Sequence, residues 1–155
     1  MKDNTSNAVT VREFTTLVSR ELELTWDENA EFLTRAESVL RMETNWDLRP
    51  GSYAYYADDA FQRLREISRE EAAALMAIAS ELIGEYSPKL SSQEVVRTIS
   101  RYKDAKLVSA WAMHALATAV AQQWIGCHDA EIKPKHYMTP YEAMTIVKRF
   151  ATAVQ

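Results

Sequence analysis

The chain has 155 residues, enough to bury a sizeable core within a single domain spanning 1–155. Apolar residues make up 47% and charged residues 26%, with a net charge of −4 and both signs interspersed, which argues against nucleic acid as a partner. A lone Cys excludes an intrachain disulfide, and no apolar run approaches the ~20 residues of a membrane span, so no membrane insertion is expected.

With only 3 Gly and 4 Pro and almost no alternating β-branched runs, the sequence predicts an all-α fold. The opening stretch, Met1 to Ala8, is polar and lacks the apolar core of a signal peptide. Thr10 and Glu13 form a capping box for a first helix that turns Phe14, Leu17, Val18 and Leu22 inward. A second helix is expected from about Asp27 to Met42, with Phe32, Leu33, Ala36, Val39 and Leu40 on its apolar face. Trp46, Leu48 and a Pro50-Gly51 turn follow, then an aromatic stretch with Tyr53, Tyr55, Tyr56 and Phe61. Ser68 and Glu71 open the next helix, whose core face is Ala72, Leu75, Met76, Ala79 and Leu82, and Gly84 ends it. Ser91 or Ser92 caps a helix carrying Val95, Val96 and Ile99. The last third predicts a helix from about Leu107 to Trp124 closed by Gly126. A loop leads from it to a final helix capped by Thr139, with Pro140 at its first position and Glu142 reaching back to the cap.

Three of these openings repeat one pattern: Thr10-Val-Arg-Glu13, Ser68-Arg-Glu-Glu71 and Thr139-Pro-Tyr-Glu142. The core positions after each Glu also match: Phe14, Ala72 and Ala143, then Leu17, Leu75 and Ile146, then Val18, Met76 and Val147. The string Thr34-Arg35-Ala36-Glu37 looks similar, but the apolar period runs through it, so Thr34 is expected inside a helix. In the last third, Tyr102, Asp104, Trp111, Ala112, Gly126, Pro134, Thr139, Glu142 and Ala143 follow one another in the order and spacing of an S-layer homology repeat. That unit resembles the S-layer homology family, with Pro140 standing where the family has Arg. The resemblance extends to residues 9–24 as half a repeat, 26–83 as a diverged repeat with an aromatic insertion, and 92–154 as a good match. It implies two-and-a-half to three helical repeats packed as a pseudo-threefold bundle.

The same resemblance implies a non-enzymatic attachment module that binds an acidic, pyruvylated cell-wall polysaccharide without a cofactor. The alternative is the same fold serving as a protein-interaction or assembly module that binds an envelope protein and has lost the glycan. A mature or excised segment belongs at the cell surface; otherwise the chain stays in the cytoplasm. A helix N-terminus favours a carboxylate, and an arginine in the first turn adds a bidentate grip. Ser68, Arg69 and Glu71 therefore form the expected glycan site, with Arg69 exposed and its replacement nearly neutral for folding. Arg12, one residue out of register, is the second candidate, and Tyr53, Tyr55, Tyr56 and Trp111 offer ring faces for sugar stacking. Trp26, Trp46 and Trp124 are further aromatics, with Trp111 and Trp124 expected in the core. Cys127, His128, Asp129 and His136 match no common zinc spacing, so no metal is expected.

Overall fold

The structure is a computed structural model that describes residues 8–44, 65–84, 90–127 and 129–154, with the backbone alone at 41–44. The stretch that holds Trp46, Tyr53, Tyr55 and Tyr56 lies outside the described residues, as does His128. Among the described residues there are six α-helices and two 3-10 turns, with no strand. No described helix is long and apolar enough to cross a membrane.

Helix α1 (Val11–Leu22) starts at the Thr10 box, where Glu13 N–H donates to Thr10 Oγ1 at 3.1 Å and Thr10 N–H donates to Glu13 Oε1 at 3.0 Å. Its period buries Phe14, Leu17, Val18 and Leu22, and a left-handed Glu23 ends it. Helix α2 (Trp26–Thr44) has a box of its own from Thr25 and Glu28, with bonds of 3.1 and 2.9 Å. Phe32, Ala36 and Leu40 are buried, whereas Leu33 is exposed. Thr34 lies mid-helix, and its hydroxyl donates back to the Ala30 carbonyl at 3.0 Å, so the Thr-Arg-Ala-Glu string is no cap.

Helix α3 (Arg69–Leu82) occupies the centre: it touches α1 and α2 as well as α5 and α6, defined below. Eleven of its 14 residues are buried, including the charged residues of its first turn. Gly84 follows it at φ 74, the left-handed conformation in which a residue without Cβ is least strained. Helix α4 (Ser92–Ser100) is capped by Ser91 with Glu94 and buries Val95 and Ile99.

The segment predicted as one helix from Leu107 to Trp124 is shorter and broken. Two 3-10 turns, Ala105–Leu107 and Ala110–Ala112, precede helix α5 (Met113–Ala121). Long-range bonds explain the break. Asp104 accepts from the backbone of Ile132 and Lys133 at 2.9 and 2.8 Å, and Ser109 N–H donates to Glu70 at 3.0 Å. Those bonds fix residues 104–109 in turns that an α-helical register cannot supply. The left-handed residue after α5 is Gln123, φ 65, rather than Gly126. Trp124 is buried edge-on against Phe150, ring centroids 4.8 Å apart, whereas Trp111 is only half-buried in the second 3-10 turn. Helix α6 (Pro140–Val154) follows the Thr139 cap and buries Ala143, Ile146, Val147 and Phe150.

Side chains from all six helices join one core. Helices α1, α3 and α6 touch one another pairwise. The extended residues that lead into them also meet: Val9 N–H donates to Met138 O at 2.8 Å, Ile67 N–H to Val9 O at 3.0 Å, and Arg69 N–H to His136 O at 2.9 Å. The three caps are therefore gathered at one end of the domain.

Candidate functional site

The first turn of α3 is the densest polar cluster among the described residues, and each of its three charged side chains ties down a different segment. Arg69 is 6% exposed. Its Nε donates to Ile132 O at 2.8 Å, one terminal nitrogen meets Glu142 Oε2 at 2.5 Å, and the other donates to Gly126 O. Glu70 is fully buried. It accepts from Ser109 N–H at 3.0 Å, from Ser109 Oγ at 2.7 Å and from Lys135 Nζ at 2.8 Å. Glu71, 1% exposed, receives the Ser68 N–H at 2.8 Å and pairs with Arg65 at 2.7 Å. Buried charges persist only when paired and hydrogen-bonded, and here each one is.

This overturns the expected exposure of Arg69. The guanidinium is a buried bracket that joins α3, the 126–132 loop and α6. The helix N-terminus offers no free donor either. Arg69 N–H goes to His136 O, Glu70 N–H goes to Pro134 O at 3.0 Å, and Glu71 N–H turns to Ser68 Oγ. The chain's own carbonyls stand where an incoming carboxylate was expected. The Thr139 box is only half formed, because Glu142 turns its carboxylate to Arg69.

Ser109, Lys135 and Glu70 lie within hydrogen-bonding reach of one another, an arrangement that resembles an activated hydroxyl. Ser109 Oγ donates to Glu70 Oε2 and accepts from Lys135 Nζ, so the hydroxyl, the carboxylate and the ammonium hold one another in place.

Arg12 contrasts with Arg69. It is exposed, and among the described residues it makes no ion pair. It stands on the ridge of α1 between two clefts. One, of about 280 Å³, faces α2 and includes Thr15, Leu33 and Glu37. The other, of about 620 Å³, runs between α1 and α6: Arg12, Glu13, Thr16 and Arg20 line one side, the Glu13 carboxylate being taken up by the Thr10 N–H, and Pro140 and Met144 line the other over the buried Ala143. On a helix, residues 12, 16 and 20 follow one another at roughly 6 Å intervals along one slanting face.

Of the predicted site residues, the structure thus brings Ser68, Arg69 and Glu71 together as interior structure and leaves Arg12 alone in a groove. Trp111 is remote from both in sequence and only half-buried. Trp26 and Tyr141 are the most exposed described aromatics, at 87% and 83%. Among the described residues no three His, Cys, Asp or Glu side chains gather as a metal site. The sequence reading placed Glu70 at the helix start but not its burial, and it missed Ser109 and Lys135. One signal was available: Ala72 to Ala79 is apolar on every face, the mark of a helix surrounded on all sides. No family model, curated protein or solved structure matches this chain.

Proposed function

We propose that this chain is a non-enzymatic attachment module of the S-layer homology type, with α1, α3 and α6 as the corresponding helices of its repeats. It holds an acidic cell-envelope glycan in the groove between α1 and α6, at the cell surface. One observation carries this reading: the Arg12 guanidinium is exposed in that groove with no ion pair among the described residues, opposite the apolar surface of Pro140 and Met144. A guanidinium grips a carboxylate with paired charge-assisted bonds, and an apolar wall suits the C–H face of a sugar ring. Meeting caps and touching helices support the repeat assignment.

The test is sedimentation with purified cell walls, before and after removal of the acidic secondary polymer, followed by titration with the released glycan. Arg12→Ala is expected to weaken binding by about tenfold or more, the loss of one charge-assisted contact of ~1.5–3 kcal/mol. Equal binding by wild type and Arg12→Ala would overturn the groove assignment.

A second reading has its own support. Arg69, the sole arginine at the motif position, is engaged inside the fold. In that case the domain serves as a protein-interaction or assembly module for an envelope partner. Absence of wall binding by the folded wild type would select this reading.

A further inference from the structure

A third cleft, of about 750 Å³ and broadly open to solvent, lies at the C-terminal end of α5. Its polar lining includes Tyr102, Gln122, Gln123 and Arg149. Among the described residues no carboxylate lines it, and Arg149 makes no ion pair. The guanidinium lies over the bare face of Gly126, with one nitrogen 3.7 Å from the position a Cβ would take. Burial, and then a hydrogen bond to Cys127, push the Tyr102 hydroxyl above its ordinary pKa, so its proton is engaged with Cys127 and its oxygen is left to accept from a ligand. The chain as a whole is acidic, so an anion drawn here answers to this local cation rather than to a general field.

Two lining residues, Gln123 and Ala130, are left-handed at φ 65 and 61. A Cβ is disfavoured in that region, and the position after a helix is where glycine is most at ease. Ala130 is pinned by Lys103 N–H, which donates to its carbonyl at 2.8 Å. Asp129 and Lys133 share this conformation and Glu23 adopts it after α1, so Gln123 ends its helix in the usual way and the 129–133 loop beside the cleft is built on left-handed residues.

We infer that this cleft is a ligand site, separate from the α1–α6 groove, for a small hydroxylated organic anion of the sugar-acid class. The carboxylate pairs with Arg149. The Gln122 and Gln123 amides and the Tyr102 hydroxyl meet the ligand's hydroxyls.

The test is calorimetric titration of the full chain with D-glucuronate, D-glucose and inorganic phosphate, run on wild type and four variants. Wild type is expected to bind glucuronate saturably, with glucose and phosphate each weaker by about tenfold or more, since each lacks one half of the recognition. Arg149→Ala weakens glucuronate by a similar factor. Gln123→Gly relieves the backbone and raises Tm while it weakens binding. Ala130→Gly raises Tm and, by loosening the cleft wall, weakens binding as well. Arg12→Ala removes at most binding in the α1–α6 groove and leaves the Arg149-dependent binding in place, which separates the two sites. The inference is overturned by lack of saturable glucuronate binding, by unchanged affinity in Arg149→Ala, or by phosphate binding as tightly as glucuronate. Loss of binding in Arg12→Ala with retention in Arg149→Ala overturns it as well.

Discussion

The starts of α1 and α3 carry the same local signature and have opposite fates. Both are Ser/Thr-x-x-Glu boxes with both reciprocal bonds formed. At α1 the turn faces solvent, and Arg12 and Glu13 are exposed. At α3 the same turn is enclosed by the loop that runs from Gly126 to His136, by Ser109 and by Glu142 of α6, and Arg69, Glu70 and Glu71 are buried. A capping box therefore fixes where a helix begins, and its neighbours decide whether that beginning is a surface or an interior. The two further complete boxes, at Thr25 and Ser91, make the same point, because neither belongs to the matched trio of openings.

The comparison can be broken most forcefully at Arg69. Arg69→Ala strands two carbonyls and the Glu142 carboxylate, and is expected to destabilise the domain by roughly 3 kcal/mol, read by urea denaturation. A change under 0.5 kcal/mol, about the size of an ordinary surface substitution, would show that the bracket is not structural. The caps come next. Ser68→Ala is expected to cost about 2 kcal/mol and Thr10→Ala about 1 kcal/mol, because the α3 cap is buried and solvent cannot replace its bond. Equal losses in parallel melts would erase the distinction between the two starts. Arg12→Ala, for all its expected effect on glycan, should shift stability by no more than about 0.5 kcal/mol.

The smallest effect concerns pH at a third box. The Glu94 carboxyl is held below its ordinary value of 4.5 by the Ser91 backbone N–H and then by the Ser91 hydroxyl. Its folded pKa is thus the lower one. The contribution to α4 is complete above the unfolded value and is lost as pH falls through the folded value. Protection factors in the first turn of α4, corrected for the slower intrinsic exchange of amides in acid, should therefore fall on acidification, and Glu94→Gln should remove that dependence. A pH response that survives in Glu94→Gln would place its origin elsewhere.

Much of the fold was legible because helices announce themselves locally. The boxes at Thr10, Ser68 and Ser91, the stripe of Phe14, Leu17 and Val18, and the mid-helix place of Thr34 all follow from neighbours within four residues. The misreadings share a cause. Residues 105–112 carry an apolar helical period, yet Asp104 is bound to Ile132 and Lys133, and Ser109 to Glu70, across 28 to 39 residues. Arg69 looked like a surface residue because its partners lie 57 to 73 residues away. A first-turn arginine has the same sequence context whether it meets solvent or a distant carbonyl. Only the enclosure of α3, hinted at by its all-round alanines, tells the two apart.

The meeting of the three leading segments has a consequence for cooperativity. Val9 is tied to both Ile67 and Met138, and Arg69 to His136, so the backbone links from early, middle and late chain form a closed circuit. In an open stack of repeats each unit leans only on its neighbours, and the ends can fray alone. A circuit has no end to fray. Val9 can meet Ile67 while the chain is still being made, but the circuit closes only when His136 and Met138 arrive, and from then on each link is braced by the other two.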